Sequence, residues 1–342
     1  MKQYELANQL MEWYHLNKRD LPWRNTNNPY HIWLSEIMLQ QTRVEAVLPY
    51  YHRFLEALPT IEALSQASDE QLHKLWQGLG YYRRVIHMKQ AAIQCCTFYN
   101  GKLPNTYEQL LELKGIGPYC ASAIASFAFH LHYPVVDGNV IRVCARLWRK
   151  QDTYETEKKK SELAQELMKW IPKGQCDTFN QAIMELGATI CIPNGTPRCH
   201  ICPWQKVCEA FQHQEIEEYP RSKKKIERKI EKYKLIILQN EDKIHLNKRD
   251  EQGLLAGLYQ FELFEDTKSF EEILFQYAPY GIKQWQQLPP KQHIFTHKEW
   301  HLDTYLIHLT TAIEGLWVNR SEIETKYPIA SAFETYLKYI SF

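Results

Sequence analysis

Four cysteines confined to one short stretch constrain this chain more than any other feature. They are Cys191, Cys199, Cys202 and Cys208, with the spacing C-x7-C-x2-C-x5-C. Four thiolates so close together can surround Zn²⁺ or hold the four irons of a [4Fe-4S] cluster. Four unrelated core cysteines would be scattered instead, and this is the pattern of the other five, at positions 95, 96, 120, 144 and 176. The spacing therefore predicts a metal or cluster site.

Composition and charge narrow the class of protein. The chain opens on a polar segment and has no signal peptide or long apolar run, which predicts a reducing, cytoplasmic location and no disulfides. Its 342 residues suit two domains. Because 41 Lys and Arg balance 40 Asp and Glu, any DNA-binding surface must be local. The most basic stretch, 221–234, is expected to be a solvated linker that contacts phosphate.

The periodicity of apolar residues changes after this basic stretch. Before it, steps of three and four predict helices at 31–48, 108–113, 121–129, 139–148, 158–170 and 178–186. After it, alternation predicts strands at 233–238, 243–246, 258–264 and 301–309, with helices at 269–277 and 330–340. We therefore expect an all-α domain over 1–215, a basic linker over 216–232, and an α+β domain over 233–342.

Three local features in the helical half can carry chemistry. Gly115 and Gly117, in the run L-K-G-I-G, permit a turn whose amides bind a phosphate, although a plain helix-helix turn has the same pattern. Asp137 precedes a helix and suits an N-cap as well as a functional anion. Glu36 lies in an apolar run, where it is either an i,i+4 partner or a buried carboxyl with a raised pKa. A desolvated carboxyl and a second carboxylate form a pair that can cleave glycosidic bonds.

Together these features resemble the helix-hairpin-helix superfamily of DNA base-excision glycosylases, and within it the MutY-type adenine DNA glycosylases. The resemblance spans nearly the whole chain. Its motifs are L-P-W-R at 21–24, W-L-S-E-I-M-L-Q-Q-T at 33–42, G-L-G-Y-Y at 78–82, V-D-G-N-V at 136–140, M-E-L-G-A at 184–188 and F-T-H at 295–297.

The resemblance implies roles for these residues. Glu36 would protonate adenine at N7, and Asp137 would stabilise the oxocarbenium-like sugar once the base is flipped from the duplex. Tyr119 would lie beside Asp137, and Asn139 would orient the catalytic water. The remaining expected contacts with substrate or DNA are Arg24 and Glu185 at adenine, Gln41, Leu79 and Tyr81 in the base stack, and Thr42, Gly115 and Gly117 elsewhere on the DNA. Leu79 and Tyr81 are also ordinary core types, and Gln41 suits a surface.

The second domain resembles the MutT-like (Nudix-like) module that these enzymes use to recognise 8-oxoguanine. The segment lacks the acidic box of active MutT hydrolases, so recognition without pyrophosphatase activity is expected. The family's Phe-Ser-His triplet is Phe295, Thr296 and His297 here, where the extra methyl of threonine can crowd the lesion. Seven residues separate Cys191 from Cys199 where the family usually has six, so the segment 192–198 must bulge. The resemblance implies that the four cysteines hold a [4Fe-4S] cluster.

The expected activity is release of adenine opposite 8-oxoguanine or guanine in double-stranded DNA, by a monomer with no membrane association. A bifunctional pyrimidine glycosylase with lyase activity is one alternative, but its Schiff-base lysine would fall where this chain has Tyr119. A non-enzymatic DNA-binding module has no need of Glu36 in an apolar run, and an electron carrier explains only the cysteines. In a bacterium, we expect the protein at the nucleoid.

Overall fold

The computed structural model describes residues 2–152, 154–220 and 227–342. The chain divides into two compact units. The first unit comprises Met1–Ser65 and Gln90–Lys224, and the second comprises Gln66–Lys89 and Lys225–Phe342. Four basic residues of the expected linker, Arg221, Lys223, Lys224 and Lys225, lie outside the described residues.

The described part of the first unit is helical, as predicted. In chain order the helices up to residue 212 are α1 (Lys2–Asn17), α2 (Pro29–Leu39), α3 (Val44–Ala57), α4 (Ile61–Gln66), α5 (Asp69–Trp76), α6 (Arg83–Phe98), α7 (Tyr107–Glu112), α8 (Pro118–Phe129), α9 (Gly138–Leu147), α10 (Glu157–Met168), α11 (Cys176–Thr189) and α12 (Glu209–Gln212). Of these, α5 belongs to the second unit, and α4 and α6 run across the boundaries between the units.

One hydrophobic core of the first unit forms where α1, α9 and α11 pack together. Leu10, Val143, Phe179 and Ile183 are buried there among apolar side chains. Trp204, from the cysteine segment, is buried in the same core and donates its indole N–H to the Leu6 carbonyl at 2.9 Å. The cysteine segment is therefore anchored to the body of the helical unit.

One predicted helix is wrong in extent, because 31–48 is broken into α2 and α3. The chain leaves the helical conformation at Gln40, and Gln41 has φ of 63°. Arg43 then caps the start of α3. The apolar period continues across the break, so it cannot reveal a backbone reversal that involves only four polar residues. The break places Gln41 and Thr42 in a loop.

The second unit is built on a mixed sheet, which confirms the predicted α+β class. Its strands are β1 (Lys229–Asn240), β2 (Lys243–Lys248), β3 (Tyr259–Gln260), β4 (Glu262–Glu265), β5 (Ile282–Ile294), β6 (Lys298–Leu309) and β7 (Leu316–Val318). The main order is β3-β2-β1-β6-β5, with β4 paired to β1 and β7 to β2. Strands β1 and β6 are parallel, whereas their other pairings are antiparallel.

Further helices cover this sheet. They are α13 (Phe270–Tyr277), α14 (Arg320–Thr325) and α15 (Ser331–Glu334). Helix α13 begins with a capping box between Ser269 and Glu272 and packs Ile273 and Tyr277 against Ile236 and Ile307. No helix in the described ranges is both long enough and apolar enough to cross a membrane.

Two predictions in this unit were wrong in detail. The segment expected as one helix at 330–340 forms only α15 and a 3-10 turn at Leu337–Tyr339, and the strand expected at 258–264 is divided between β3 and β4 at Phe261. Strand β5 was not predicted, because Pro289 and Pro290 interrupt it and the residues on both faces are mostly exposed. A strand without a buried face leaves no alternating pattern to detect.

The second unit also includes residues 66–89, which are far from its C-terminal segment in the sequence. Lys74 Nζ donates to the Ile323 carbonyl at 2.8 Å, and Lys248 Nζ pairs with Glu70 at 2.7 Å. Gln77 donates to Glu334 at 3.0 Å. These bonds fix helix α5 and the turn that follows it to the sheet domain.

Candidate active site and cysteine loop

A cavity of about 520 Å³ in the first unit is lined by seven of the residues predicted for the site. They are Arg24, Glu36, Thr42, Tyr119, Asp137, Asn139 and Glu185. They come from α2, α8, α9, α11 and the loops beside them, so only the packing of the helices brings them together. The cavity is within the usual size range of small-molecule sites, roughly 300–1,000 Å³.

Glu36 is the buried acid of this cavity. It lies on α2 with 4 % of its surface exposed, and its carboxylate accepts a hydrogen bond from the Tyr119 hydroxyl. The pKa of Glu36 is raised to about 7, chiefly by burial. The bond from Tyr119 and the charge of Arg24 oppose this rise, whereas the charge of the nearby Asp137 adds to it. The buried alternative for Glu36 is therefore the one that the structure supports. A carboxyl of this kind carries a proton near neutral pH and can donate it.

Asp137 is both the N-cap of α9 and a member of the site. One carboxylate oxygen accepts from the Val140 amide at 2.7 Å and the other from Asn139 Nδ2 at 2.7 Å. Burial raises the pKa of Asp137, whereas the two hydrogen bonds and the charge of Arg142 oppose the rise. The capping and functional interpretations of the sequence are thus compatible, because the N-terminus of a helix favours an anion.

Glu185 is a buried carboxylate that two guanidinium groups neutralise. Arg19 binds both of its oxygens, at 2.8 and 2.9 Å, and Arg24 binds one at 2.6 Å. Burial raises the pKa of Glu185, but the hydrogen bonds from Arg19 and Arg24 outweigh it and hold the pKa at about 2. Glu185 is therefore ionised and orients the arginines, so its chemistry differs from that of Glu36.

Arg142 connects helix α9 to the cysteine segment. Its guanidinium donates to Asn139 Oδ1 at 2.9 Å, to the Gly187 carbonyl at 2.8 Å and to the Cys191 carbonyl at 2.7 Å. Gly187 has no space for a side chain, because an added Cβ would lie 2.6 Å from the Cβ of Asn139. Helices α9 and α11 therefore touch at the residue expected to orient water.

The four cysteines line one small cavity of about 30 Å³ together with Arg146. Arg146 donates to Cys191 Sγ at 3.3 Å and to the Ile192 carbonyl at 3.0 Å, which supplies positive charge beside the sulfurs. The described side chains include no group of three or more His, Cys, Asp or Glu arranged to hold a single metal ion. The donor set is four cysteine thiols beside a guanidinium group, which is chemistry that suits either Zn²⁺ or an iron–sulfur cluster.

The segment between the first two cysteines also reaches the active-site cavity. Gly195 has φ of 78°, which accommodates the expected bulge. Ile192, Pro193 and Asn194 line this cavity together with Glu36 and Asp137. These three residues and Arg19 were not predicted from the sequence as part of the site. For Arg19 the only available signal was its position two residues before the L-P-W-R motif.

The residues expected to contact the DNA strand are distributed over both units. In the first unit, Gly115 has φ of 77° and Gly117 caps α8, so the predicted turn and the start of the next helix at Pro118 are present. In the second unit, Leu79 is buried, which matches its core alternative, whereas Tyr81 is 48 % exposed with φ of 49°. Positive φ at non-glycine residues such as Gln41 and Tyr81 is uncommon and is often found at functional positions.

Tyr81 meets the F-T-H triplet within the second unit. Its hydroxyl is 3.0 Å from Thr296 Oγ1. The turn that carries Tyr81 is held by Arg84, which donates to the Gly80 carbonyl at 3.2 Å and lies over the Tyr81 ring. Two motifs that are more than two hundred residues apart therefore form one surface.

Comparison with known proteins identifies the family and the fold of each part of the chain. The family profile described as "HhH-GPD superfamily base excision DNA repair protein" matches residues 34–173, and the profile described as "NUDIX domain" matches 233–339. Among solved structures, one titled a thermostable thymine-DNA glycosylase is 26 % identical with a TM-score of 0.57, covering 62 % of this chain and 98 % of that one. The fold and the site define a helix-hairpin-helix DNA glycosylase with a C-terminal Nudix-like domain.

Two curated relatives narrow the class further. The adenine DNA glycosylase of Buchnera aphidicola (subsp. Acyrthosiphon pisum, strain APS) is 32 % identical over 94 % of this chain and 92 % of its own length. That of Arabidopsis thaliana is 35 % identical over 92 % of this chain and 59 % of its own length. The chain belongs to the adenine DNA glycosylase family of base-excision repair enzymes.

Proposed function

We propose that this glycosylase hydrolyses the N-glycosidic bond of adenine mispaired with 8-oxoguanine, or with guanine, in duplex DNA. The observation that carries the proposal is Glu36, a buried carboxyl with a pKa of about 7 in the same cavity as the helix-capping Asp137. Glu36 is almost fully buried in a helical unit, so the target base must leave the stack to reach it.

The chemistry follows from the two carboxyl groups. Glu36 donates its proton to N7 of adenine, so that the base departs as a neutral molecule with the electron pair of the broken C–N bond. Positive charge then develops on the sugar, where the carboxylate of Asp137 stabilises it. The oxygen of a water molecule oriented by Asn139 bonds to the sugar carbon, and its proton passes to a carboxylate. No lysine is among the described residues that line the cavity, which supports hydrolysis without a Schiff base.

Conservative substitutions test this assignment. Glu36→Gln removes the transferable proton and Asp137→Asn removes the negative charge, and asparagine caps a helix as well as aspartate does. We expect each variant to bind duplex DNA but to lose adenine release in single-turnover assays. The exposed Glu12 offers a matched control, since Glu12→Gln changes charge equally without touching the cavity. Normal adenine release by Glu36→Gln would refute the proposed acid.

The same proposal includes a [4Fe-4S] cluster held by Cys191, Cys199, Cys202 and Cys208. Its support is the shared cavity and the positive charge of Arg146 beside the sulfurs. Iron–sulfur clusters take four thiolates and are stabilised by nearby hydrogen-bond donors. We assign the cluster a structural role, because it would shape the segment that carries Arg198 and Lys206 toward phosphate.

Metal analysis of the purified protein tests the cluster. Protein made anaerobically with sufficient iron should be yellow-brown and contain about four irons per chain. Cys202→Ser should lose this iron, whereas Cys95→Ser, which changes a buried cysteine outside the group, should retain it. Stoichiometric zinc in place of iron would refute the assignment.

Preference for 8-oxoguanine is assigned to Thr296. An 8-oxoguanine differs from guanine by a donor at N7 and an oxygen at C8, so a hydroxyl at that edge distinguishes the two. The support is the exposed position of Thr296 beside Tyr81. Thr296→Ala should lower the preference for 8-oxoguanine over guanine, and Thr296→Ser should retain it. An unchanged preference in Thr296→Ala would move recognition to other residues.

A further inference from the structure

Glu231 is a charged residue of β1 that the sequence presents only as an interruption in a basic run. In the structure its side chain is 13 % exposed and lies within bonding distance of four donors. Lys298 Nζ lies 2.8 Å away, Trp300 Nε1 3.1 Å, Lys229 Nζ 3.1 Å and the Tyr233 hydroxyl 3.3 Å. The hydrogen bond from Lys298 lowers the pKa of Glu231 to about 2, so the carboxylate is ionised at neutral pH.

Two of these donors, Lys298 and Trp300, follow the F-T-H triplet in the chain and contact it. Lys298 directly follows His297 and also closes the turn, because its carbonyl accepts from the Phe295 amide at 2.9 Å. Trp300 is almost fully buried and supports the ring of Phe295 edge-on, with ring centroids 4.9 Å apart. The carboxylate of Glu231 thus bonds to Trp300, whose ring packs against Phe295, and to the side chain of Lys298, whose backbone carbonyl closes the turn.

Two donors at the start of β1 bond to the same turn. The Lys229 amide, in β1, donates to the His297 carbonyl at 3.2 Å, and the side-chain Nε of Arg228, the residue just before β1, donates to the Phe295 carbonyl at 3.1 Å. Both ends of the triplet are therefore bonded to Arg228 and Lys229, while Thr296 itself stays exposed and meets Tyr81. A turn that is held at its ends presents its central side chain in one orientation.

We infer that Glu231 is a positioning residue for lesion recognition, which fixes the triplet through Lys298 and Trp300 so that the hydroxyl of Thr296 is preorganised for 8-oxoguanine. This inference rests on the proposed preference for 8-oxoguanine. Preorganisation matters because a loop that must be ordered on binding spends part of its interaction free energy on that ordering. A carboxylate is required, since an amide at this position has only one acceptor oxygen for four donors.

The experiment compares adenine release opposite 8-oxoguanine with release opposite guanine, under single-turnover conditions. Glu231→Gln should lower the ratio of the two rate constants about tenfold, the size of one good base-edge contact. Release opposite guanine should stay within about twofold, because the acid and the anion lie in the first unit. The matched control is Glu227→Gln, which removes the same charge from an exposed position on the approach to β1 and should leave the ratio unchanged.

A double variant separates positioning from general stabilisation. If Glu231 acts through the triplet, Glu231→Gln combined with Thr296→Ala should have the same ratio as Thr296→Ala alone. If the double variant has a lower ratio than Thr296→Ala, so that the effects of the two substitutions multiply, the inference is overturned. An unchanged ratio in Glu231→Gln would also overturn it. If Glu231→Gln fails to fold, Trp300→Phe decides, because it keeps an aromatic ring and removes one donor; a normal ratio in that variant would also overturn it.

The wild-type ratio separates this inference from the function on which it rests. A wild-type enzyme with no preference for 8-oxoguanine would refute the proposed substrate. A clear wild-type preference that survives Glu231→Gln would refute only the role of Glu231.

Discussion

The most informative perturbation of the active site is removal of the Tyr119 hydroxyl, because the structure fixes the direction in which the pKa of Glu36 should change. Burial raises the pKa of Glu36 from 4.5 to about 7, and the hydrogen bond from Tyr119 opposes the rise. That bond stabilises the ionised carboxylate. Tyr119→Phe should therefore raise the pKa of Glu36 further, and its acid form should persist to higher pH.

The magnitude of the effect can be worked from the titration of one group. With a pKa of about 7, half of the Glu36 side chains are protonated at pH 7. With the ordinary pKa of 4.5, roughly 0.3 % would be protonated, so burial increases the available acid by roughly 150-fold. The protonated fraction, and with it the rate constant for adenine release, should fall about fivefold from pH 7 to 8 and about tenfold per pH unit beyond that.

The assay is the pH dependence of single-turnover adenine release between about pH 5 and 9. The wild-type profile should decline with a midpoint near 7, and the midpoint of Tyr119→Phe should lie at higher pH, even if the plateau is lower. Tyr99→Phe is a control, since its hydroxyl donates to Glu112 instead. A flat wild-type profile, or a midpoint that moves to lower pH in Tyr119→Phe, would refute the role of Glu36.

The same pKa has a consequence for stability. A folded-state pKa above the unfolded value contributes stability that is fully present below the unfolded pKa and is lost as pH rises through the folded pKa. The contribution of Glu36 should therefore decrease between about pH 4.5 and 7. The melting temperature of Glu36→Gln minus that of the wild type should therefore be larger at pH 8 than at pH 5. Scanning calorimetry at the two pH values can measure this difference. An equal difference at both pH values would contradict the buried titration.

Three further predictions each depend on one residue of the site. Gly187→Ala should lower both stability and adenine release, measured by thermal unfolding and single-turnover assay, because its Cβ would collide with Asn139. Asp137→Ala should cost about 1 kcal/mol of unfolding free energy through loss of the N-cap, whereas Asp137→Asn should cost little, as denaturant unfolding would show. Borohydride should trap no protein–DNA adduct, because Tyr119 replaces the lysine of a lyase, and product DNA should stay intact until treated with alkali.

Much of the architecture was predictable because its signals are local. Three- and four-residue apolar steps predicted helices such as α9 and α11, and alternation predicted strands within β1 and β2. The break between α2 and α3 and the strand β5 were not predictable, because the first depends on the backbone at Gln41 and the second has no buried face. In both the helix break and strand β5, packing against other segments sets the backbone conformation, and the local apolar pattern does not.

The structure complicates a truncation experiment that the sequence suggests. Truncation after Tyr219 would remove the F-T-H triplet and apparently leave a complete first domain. The second unit, however, contains residues 66–89, which bond to the C-terminal segment through Lys74 and Lys248. Truncation would expose these partners as well as delete the triplet. Point variants of Thr296 and Glu231 test recognition without that disturbance.

The sequence by itself determined the chemical inventory: the cysteine quartet, the two carboxyl groups, the glycine turn and the triplet, each identified by residue type and spacing. Tertiary structure alone decided what those groups do. Glu36 and Glu185 are both buried glutamates of one cavity, yet the first has a pKa of about 7 and the second about 2, because only Glu185 meets two guanidinium groups. Ionisation depends on burial and on charges brought together from distant positions, and that information is in the packing of the helices rather than in any local motif.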